Sequence, residues 1–338
     1  MKKTAILLIA AAMLAACEKQ IDIDIEDQES KVVVNAQGAE GSPLSVDLTY
    51  SRPVYGVFYV RYDEDYFQKV TNATVSLTVD GGAAETATRN GGTYSFSHIP
   101  QPGEELALSI SVPGHDEITA TTTVPQQPSV TDIDTSYDNH NYDYYTTLQM
   151  NINFTLNDQA STDDYYSIRL RREDTVIYIE RDNMGNIVVQ DTDISQYYQF
   201  FNCTDYLLVN NTSIDIDDPT ASRTYSGTEM LFTDATINGM GHNIKLELSD
   251  NYGYDDYYYK ATDTTIYYSG LYLEVTALSR DLYLYHQTMN SYNEDELLSF
   301  FSEPVQIHSN IDGGIGIFGI SSKTTIQIPQ RPTSLYYR

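Results

Sequence analysis

The chain has 338 residues, and its 48 acidic against 19 basic side chains give a formal net charge of −29. Such a surface repels phosphate backbones, which excludes nucleic acid as a partner. At 41% apolar residues the chain can build cores, so wholesale disorder is excluded, and two cysteines supply neither a disulfide framework nor a four-thiolate zinc site.

Met1-Lys2-Lys3 is a positive start, and Thr4 to Met13 is a short apolar run. At roughly ten residues that run is too short for a ~30 Å bilayer core. Leu14-Ala15-Ala16-Cys17 follows in the pattern of a bacterial lipobox. Residues 1–17 therefore read as a lipoprotein signal peptide, with Cys17 the lipidated residue; the plainer alternative is a secretory signal followed by a chance Cys. Several acyl chains, at about 0.8 kcal/mol per buried CH2, hold a protein firmly on a membrane. Residues 18–27, with alternating Ile and acid from Ile21 to Asp27, read as an acidic tether. Acids just after a lipidated Cys are similar to the surface-export signals of Bacteroidetes lipoproteins. The expected location is the outer membrane, facing the exterior.

The body reads as strand. Lys31 to Asn35, Leu44 to Leu48, Ala73 to Val79, Thr93 to Phe96, Leu106 to Val112 and Ile118 to Val124 are β-branched or alternate with period two. Asp80-Gly81-Gly82, Asn90-Gly91-Gly92 and Pro102-Gly103 punctuate them as turns. This spacing predicts a β-sandwich, immunoglobulin-like or transthyretin-like, over residues 28–125. Pro125-Gln126-Gln127-Pro128 reads as a stiff linker. Residues 126–338 are expected to form a larger β-rich domain. Its strands are Thr147 to Leu156, Tyr165 to Leu170, Thr175 to Ile179, Ile187 to Val189, Ile244 to Leu248 and Gly270 to Leu278. A short helix is expected at Asp281 to Asn290, with Leu282, Tyr285 and Met289 on one face. Residues 191–240 and 250–265 show no clear period and read as long loops. The expected class is all-β with two domains.

Several segments are similar to the DUF4249 family of Bacteroidetes outer-membrane lipoproteins. They are the acidic tether, Lys31-Val32-Val33-Val34-Asn35, Gly92-Thr93-Tyr94-Ser95 with Pro102-Gly103-Glu104, and Thr121-Thr122-Thr123-Val124-Pro125. Near the C-terminus, Phe301-Ser302-Glu303-Pro304-Val305 leads to the most specific match, the run from Ser309 to Gly319. The resemblance implies a lipoprotein of unassigned biochemistry, often encoded beside a TonB-dependent transporter. It carries no catalytic residues.

Familiar catalytic patterns are missing. Gly313-Gly314-Ile315-Gly316 lacks the strand–turn–helix context and the Lys-Ser/Thr of a phosphate loop, so it reads as a turn into a strand with Phe318 in the core. His98, His115, His140, His242, His286 and His308 have no zinc-binding helical spacing, and no Gly-x-Ser-x-Gly elbow is present. Cys203 reads as a small buried hydrophobe. Calcium is the one cofactor considered, with oxygen ligands at Asp215-Ile216-Asp217-Asp218 and Asp182-Asn183-Met184-Gly185-Asn186, neither of which completes an EF-hand loop.

Tyrosine is abundant, with 30 residues against 10 Phe and no Trp. It concentrates in Tyr55 to Phe67, Tyr137 to Tyr145 and Tyr252 to Tyr259. Binding loops favour Tyr because it offers contact area and a hydroxyl at low entropy cost. Tyr142, Tyr144, Tyr145, Tyr254, Tyr257 and Tyr258 are thus the candidate ligand-binding residues; the alternative is that Tyr simply serves as the strand aromatic. The leading expectation is a non-enzymatic binding subunit working with a TonB-dependent transporter to capture a carbohydrate, peptide or other small nutrient. An adhesin or structural surface protein is the second expectation, and a carboxylate- or calcium-dependent hydrolase the third.

Overall fold

The computed structural model describes residues 30–52, 67–141, 146–160, 162–205, 207, 223–249, 259–261, 264–291 and 306–329. The protein is all-β with one short helix. Period-two burial is visible along β1 (Val32–Ala39), β2 (Ser45–Tyr50) and β3 (Thr74–Val79). The short β4 (Glu85–Thr86), β5 (Thr88–Asn90) and β6 (Thr93–Ser95) follow, then β7 (Glu105–Ser111) and β8 (Ile118–Thr123). The turn at Asp80-Gly81 takes positive φ at both residues, as a tight hairpin requires.

The second half begins with β9 (Ser129–Asn141), β10 (Thr146–Asn157), β11 (Tyr165–Arg181) and β12 (Ile187–Tyr198). It continues with β13 (Phe201–Asp205), β14 (Arg223–Gly227), β15 (Met230–Thr233), β16 (Gly241–Ser249) and β17 (Tyr259–Ala261). The closing elements are β18 (Thr265–Leu278), helix α1 (Arg280–Asn290) and β19 (Ile315–Gln327).

Two sequence expectations need correction. Residues 191–240 and 250–265 are not simply long loops: the end of β12 with β13, β14 and β15 lies in the first range, and β17 with the start of β18 in the second. Tyr137 belongs to β9 rather than to a binding loop, and it packs against the second core. In both places main-chain pairing with a neighbouring strand, β9 with β10 and β13 with β14, holds a polar segment extended without a readable apolar period.

A ten-stranded sheet runs β12-β11-β18-β19-β1-β2-β6-β5, with β15 also on β11 and β17 on β18. The five-stranded sheet β14-β13-β16-β10-β9 and the four-stranded sheet β4-β3-β7-β8 complete the fold. Register places Ala36 beside Phe318, and Ala277 and Val275 beside Ser322 and Thr324. The residues facing both cores therefore share one side of the large sheet, and both small sheets pack there. The first core gathers Val34, Leu48, Leu77, Tyr94 and Leu108 with Phe318 and Ile320; the second gathers Ile152, Phe154, Ile168, Leu246, Leu273 and Ile328.

Strand β19 thus serves both halves. Residues 28–125 do not close the first core by themselves, because Ile311, Phe318 and Ile320 belong to it. Between the two small sheets the linker crosses the same face. Ser322 donates to the Pro125 carbonyl and Thr324 to the Pro128 carbonyl, each at 2.7 Å. Helix α1 packs Leu282 and Tyr283 on the opposite face, against Leu231, Leu278 and Ile317.

Candidate functional site

Cys17 and the candidate tyrosines Tyr142, Tyr144, Tyr145, Tyr254, Tyr257 and Tyr258 lie outside the described residues, as does Asp215 to Asp218. Asp182 is described, and its oxygens serve the β11–β12 hairpin. Oδ1 accepts the Met184 and Asn186 amides and Oδ2 accepts the Asn186 side chain, all at 2.8 Å. Cys203 is fully buried in the second core, where burial first, then Asp205 and Glu247, push its thiol up to about 12. It is a packing residue with no thiolate at neutral pH. Among the described histidines, His98 pairs with Glu104 at 2.8 Å, His242 with Asp205 at 2.9 Å and His308 with Asp281 at 2.8 Å.

Three features remain. The first is a charged platform on the helix-bearing face of the large sheet. Alternation along β11 turns Arg169 and Arg171 to that face, beside Glu274 and Tyr272 of β18. Arg171 Nε meets Glu274 at 2.8 Å, Lys323 Nζ meets the same oxygen at 3.3 Å, and the Arg171 guanidinium stacks 4.4 Å from the Tyr272 ring centre. Glu229 bonds Arg169 at 2.7 Å and Ser167 Oγ at 2.7 Å, with His286 of α1 at 3.6 Å. Burial raises the Glu229 carboxyl, but the bonds to His286, Arg169 and Ser167 outweigh it and hold the group at about 2. Arg169, Glu229, Glu274, His286 and Lys323, with Tyr198 and Leu282, line a cleft of about 320 Å³. It offers neighbouring charges of both signs, which suits a small polar ligand better than an apolar one. Its residues come from seven separated segments, so no local motif announces it.

The second feature is an aspartate cluster at one end of the second sandwich. Asp158, Asp164 and Asp234 each place a carboxylate oxygen within 4.8 Å of the others. Burial first, then the carboxylates of Asp158, Asp164 and Asp163, push Asp234 up to about 6, against a backbone hydrogen bond from Asp164. Asp164 is raised as well, chiefly by burial. In an acidic chain these three residues carry no sequence signal of their own. Asp164 also lines a groove of about 420 Å³ between the halves, with Glu105, Pro125, Arg280 and Asp281.

The third is the edge of the large sheet. Every residue of β12 is exposed, and among the described residues the strand pairs only with β11. Its apolar side chains include Ile194 at 63% exposure, with Phe200 just beyond at 70% and Met184 at the hairpin tip at 85%.

A family model for a domain of unknown function, DUF4249, matches residues 18–327. The chain belongs to the DUF4249 family. No curated protein matches it. The DUF4249 match ends at the last residue of β19, so it takes in both sandwiches and their shared strand. The structure also explains the run from Ser309 to Gly319 in this DUF4249 chain. Gly316 has φ 123°, and a side chain there would meet the Val34 carbonyl of β1. Asn310 exchanges two hydrogen bonds with the Phe318 backbone, at 2.8 and 2.9 Å, and Asp312 bridges to Thr119 of β8. The motif is the seam that inserts β19 beside β1. Gly92-Thr93-Tyr94-Ser95 is a second fixing point, where the buried Tyr94 hydroxyl donates to the Val70 carbonyl and accepts the Ala73 amide.

Proposed function

We propose that this DUF4249 protein is a Bacteroidetes lipoprotein, held by lipidated Cys17 on the outer face of the outer membrane. There it binds without transforming, as an accessory to a TonB-dependent transporter in nutrient capture. The observation that carries the docking half is the β12 edge. An exposed strand that pairs on one side only among the described residues, with outward apolar side chains, is a template for another chain, and isolated soluble proteins usually blunt such edges. The mixed-charge cleft beside Arg169, Tyr198 and Lys323 supports the capture half, as a place for a small hydrogen-bonding nutrient such as a sugar or peptide. Among the described residues no helix is long and apolar enough to cross a membrane, which leaves Cys17 as the attachment this reading uses.

The test is mild crosslinking of native outer membranes followed by capture of the full lipidated chain. A TonB-dependent transporter is expected in the product, at reduced yield from an Ile194→Lys variant. Capture without any transporter, paired with a deletion strain impaired in attachment but not in growth, favours the adhesin reading instead. Replacing Cys17 by Ala is expected to release the protein from membranes; membrane fractionation unchanged by that replacement overturns the anchor.

A further inference from the structure

The aspartate cluster holds an oddity that the binding function does not use. Asp234 is only 3% exposed, yet its Oδ2 accepts no hydrogen bond among the described residues. A buried carboxylate oxygen without a donor is costly, and two further carboxylates beside it add repulsion. The surroundings are nonetheless well built. Asp158 Oδ1 accepts the Tyr166 hydroxyl and its Oδ2 the Gly239 amide, both at 2.8 Å, while Asp164 Oδ2 accepts Thr162 Oγ1 at 2.8 Å. The two loops are tied directly as well: the Asp234 amide donates to the Asp164 carbonyl at 3.0 Å, and the Asn238 side chain to the Thr162 carbonyl at 3.2 Å. Among the described residues, the charges acting on Asp234 are all carboxylates, those of Asp158, Asp163 and Asp164.

We propose that Asp158, Asp164 and Asp234 bind one calcium ion. Ca2+ accepts six to eight oxygens in flexible geometry at about 2.3–2.6 Å, whereas Mg2+ demands a near-ideal octahedron and gives up its water reluctantly, so a partly buried carboxylate cluster favours calcium. The three carboxylate oxygens lie within 4.8 Å of one another, close enough to ligate one ion. An all-oxygen set without imidazole or thiolate selects a hard cation over zinc. The ion leaves one net negative charge where three stood and supplies the buried Asp234 oxygen with its partner. Its remaining ligands are water and main-chain carbonyls. Residues 158–164 carry the chain from β10 in the five-stranded sheet to β11 in the large one, and residues 234–240 carry it back from β15 to β16. The ion therefore clips two crossovers between the sheets of the second sandwich, beside the groove that Asp164 lines.

The experiment uses the full chain in detergent, stripped with EDTA and then titrated with CaCl2 or MgCl2 while melting is followed. Calcium at a hundredfold excess over its dissociation constant is expected to raise Tm by roughly 3–10 °C, and magnesium by less. Tyrosine-sensitised terbium luminescence reads the same site, through Tyr166 on Asp158. The variants Asp234→Asn and Asp164→Asn are expected to weaken calcium binding at least tenfold and to remove the melting response. In EDTA, Asp234→Asn is expected to melt no lower than the parent, since it removes repulsion; this separates a lost site from a lost fold. A parent without calcium response at 10 mM overturns the proposal, and so does a response that both variants retain.

Discussion

Ala36 of β1 and Phe318 of β19 are register partners in adjacent parallel strands, although they come from opposite ends of the chain. Both are fully buried. Phe318→Ala is expected to cost about 3–5 kcal/mol, the usual range for deleting a buried aromatic ring. Urea unfolding checks this. Because β19 serves both cores, both halves are expected to lose stability together; an unchanged second half, read by proteolysis of residues 129–249, contradicts the shared strand.

The Glu229 carboxyl gives a pH dependence with a definite sign. Its pKa falls from 4.5 in a model peptide to about 2 in the fold, so the unfolded chain binds the proton more readily. The resulting stability is fully present above pH 4.5 and is lost as pH falls from there toward 2, about 3 kcal/mol in all. Glu229→Gln is expected to lower stability at pH 7 and to narrow its gap from the parent at pH 3. A gap that stays constant over that interval contradicts the assignment.

Cys203 offers a chemical check on the second core. A buried thiol pushed up to about 12 is expected to resist iodoacetamide at pH 8 in the native protein and to react fully in guanidinium chloride. Mass spectrometry after timed quenching reads both states. Rapid native alkylation contradicts the packing role.

Ile194 distinguishes a surface kept for a partner from one that merely packs. It is exposed on β12, so Ile194→Lys is expected to change folding stability by no more than about 0.5 kcal/mol. Chemical denaturation checks that, and a larger loss identifies Ile194 as a structural residue of its own chain.

Much of the fold was legible. Alternation along Val75, Leu77 and Val79 or Leu106, Leu108 and Ile110 specifies half-buried strands, because one face meets a core and the other water. The helix was legible too, from Leu282 and Tyr285 one turn apart, and it begins at Arg280, one residue before the expectation. Strands β9, β13 and β14 were not, because their main-chain partners rather than their composition hold them extended. The platform and the aspartate cluster were hidden for a related reason. Asp158, Asp164 and Asp234 are three acids among 48 until β10, β11, β15 and β16 bring their loops together.

The amino-acid sequence by itself determined the all-β class, the family, and the buried places of Cys203 and Phe318, since these follow from side-chain period, turn residues and local motif. Tertiary structure alone decided that the last strand joins the first, that one sheet backs both cores, and which charges face one another. Those outcomes depend on contacts between segments far apart in the chain. Neither composition nor period encodes the register that sets Phe318 against Ala36, or Asp234 against Asp158.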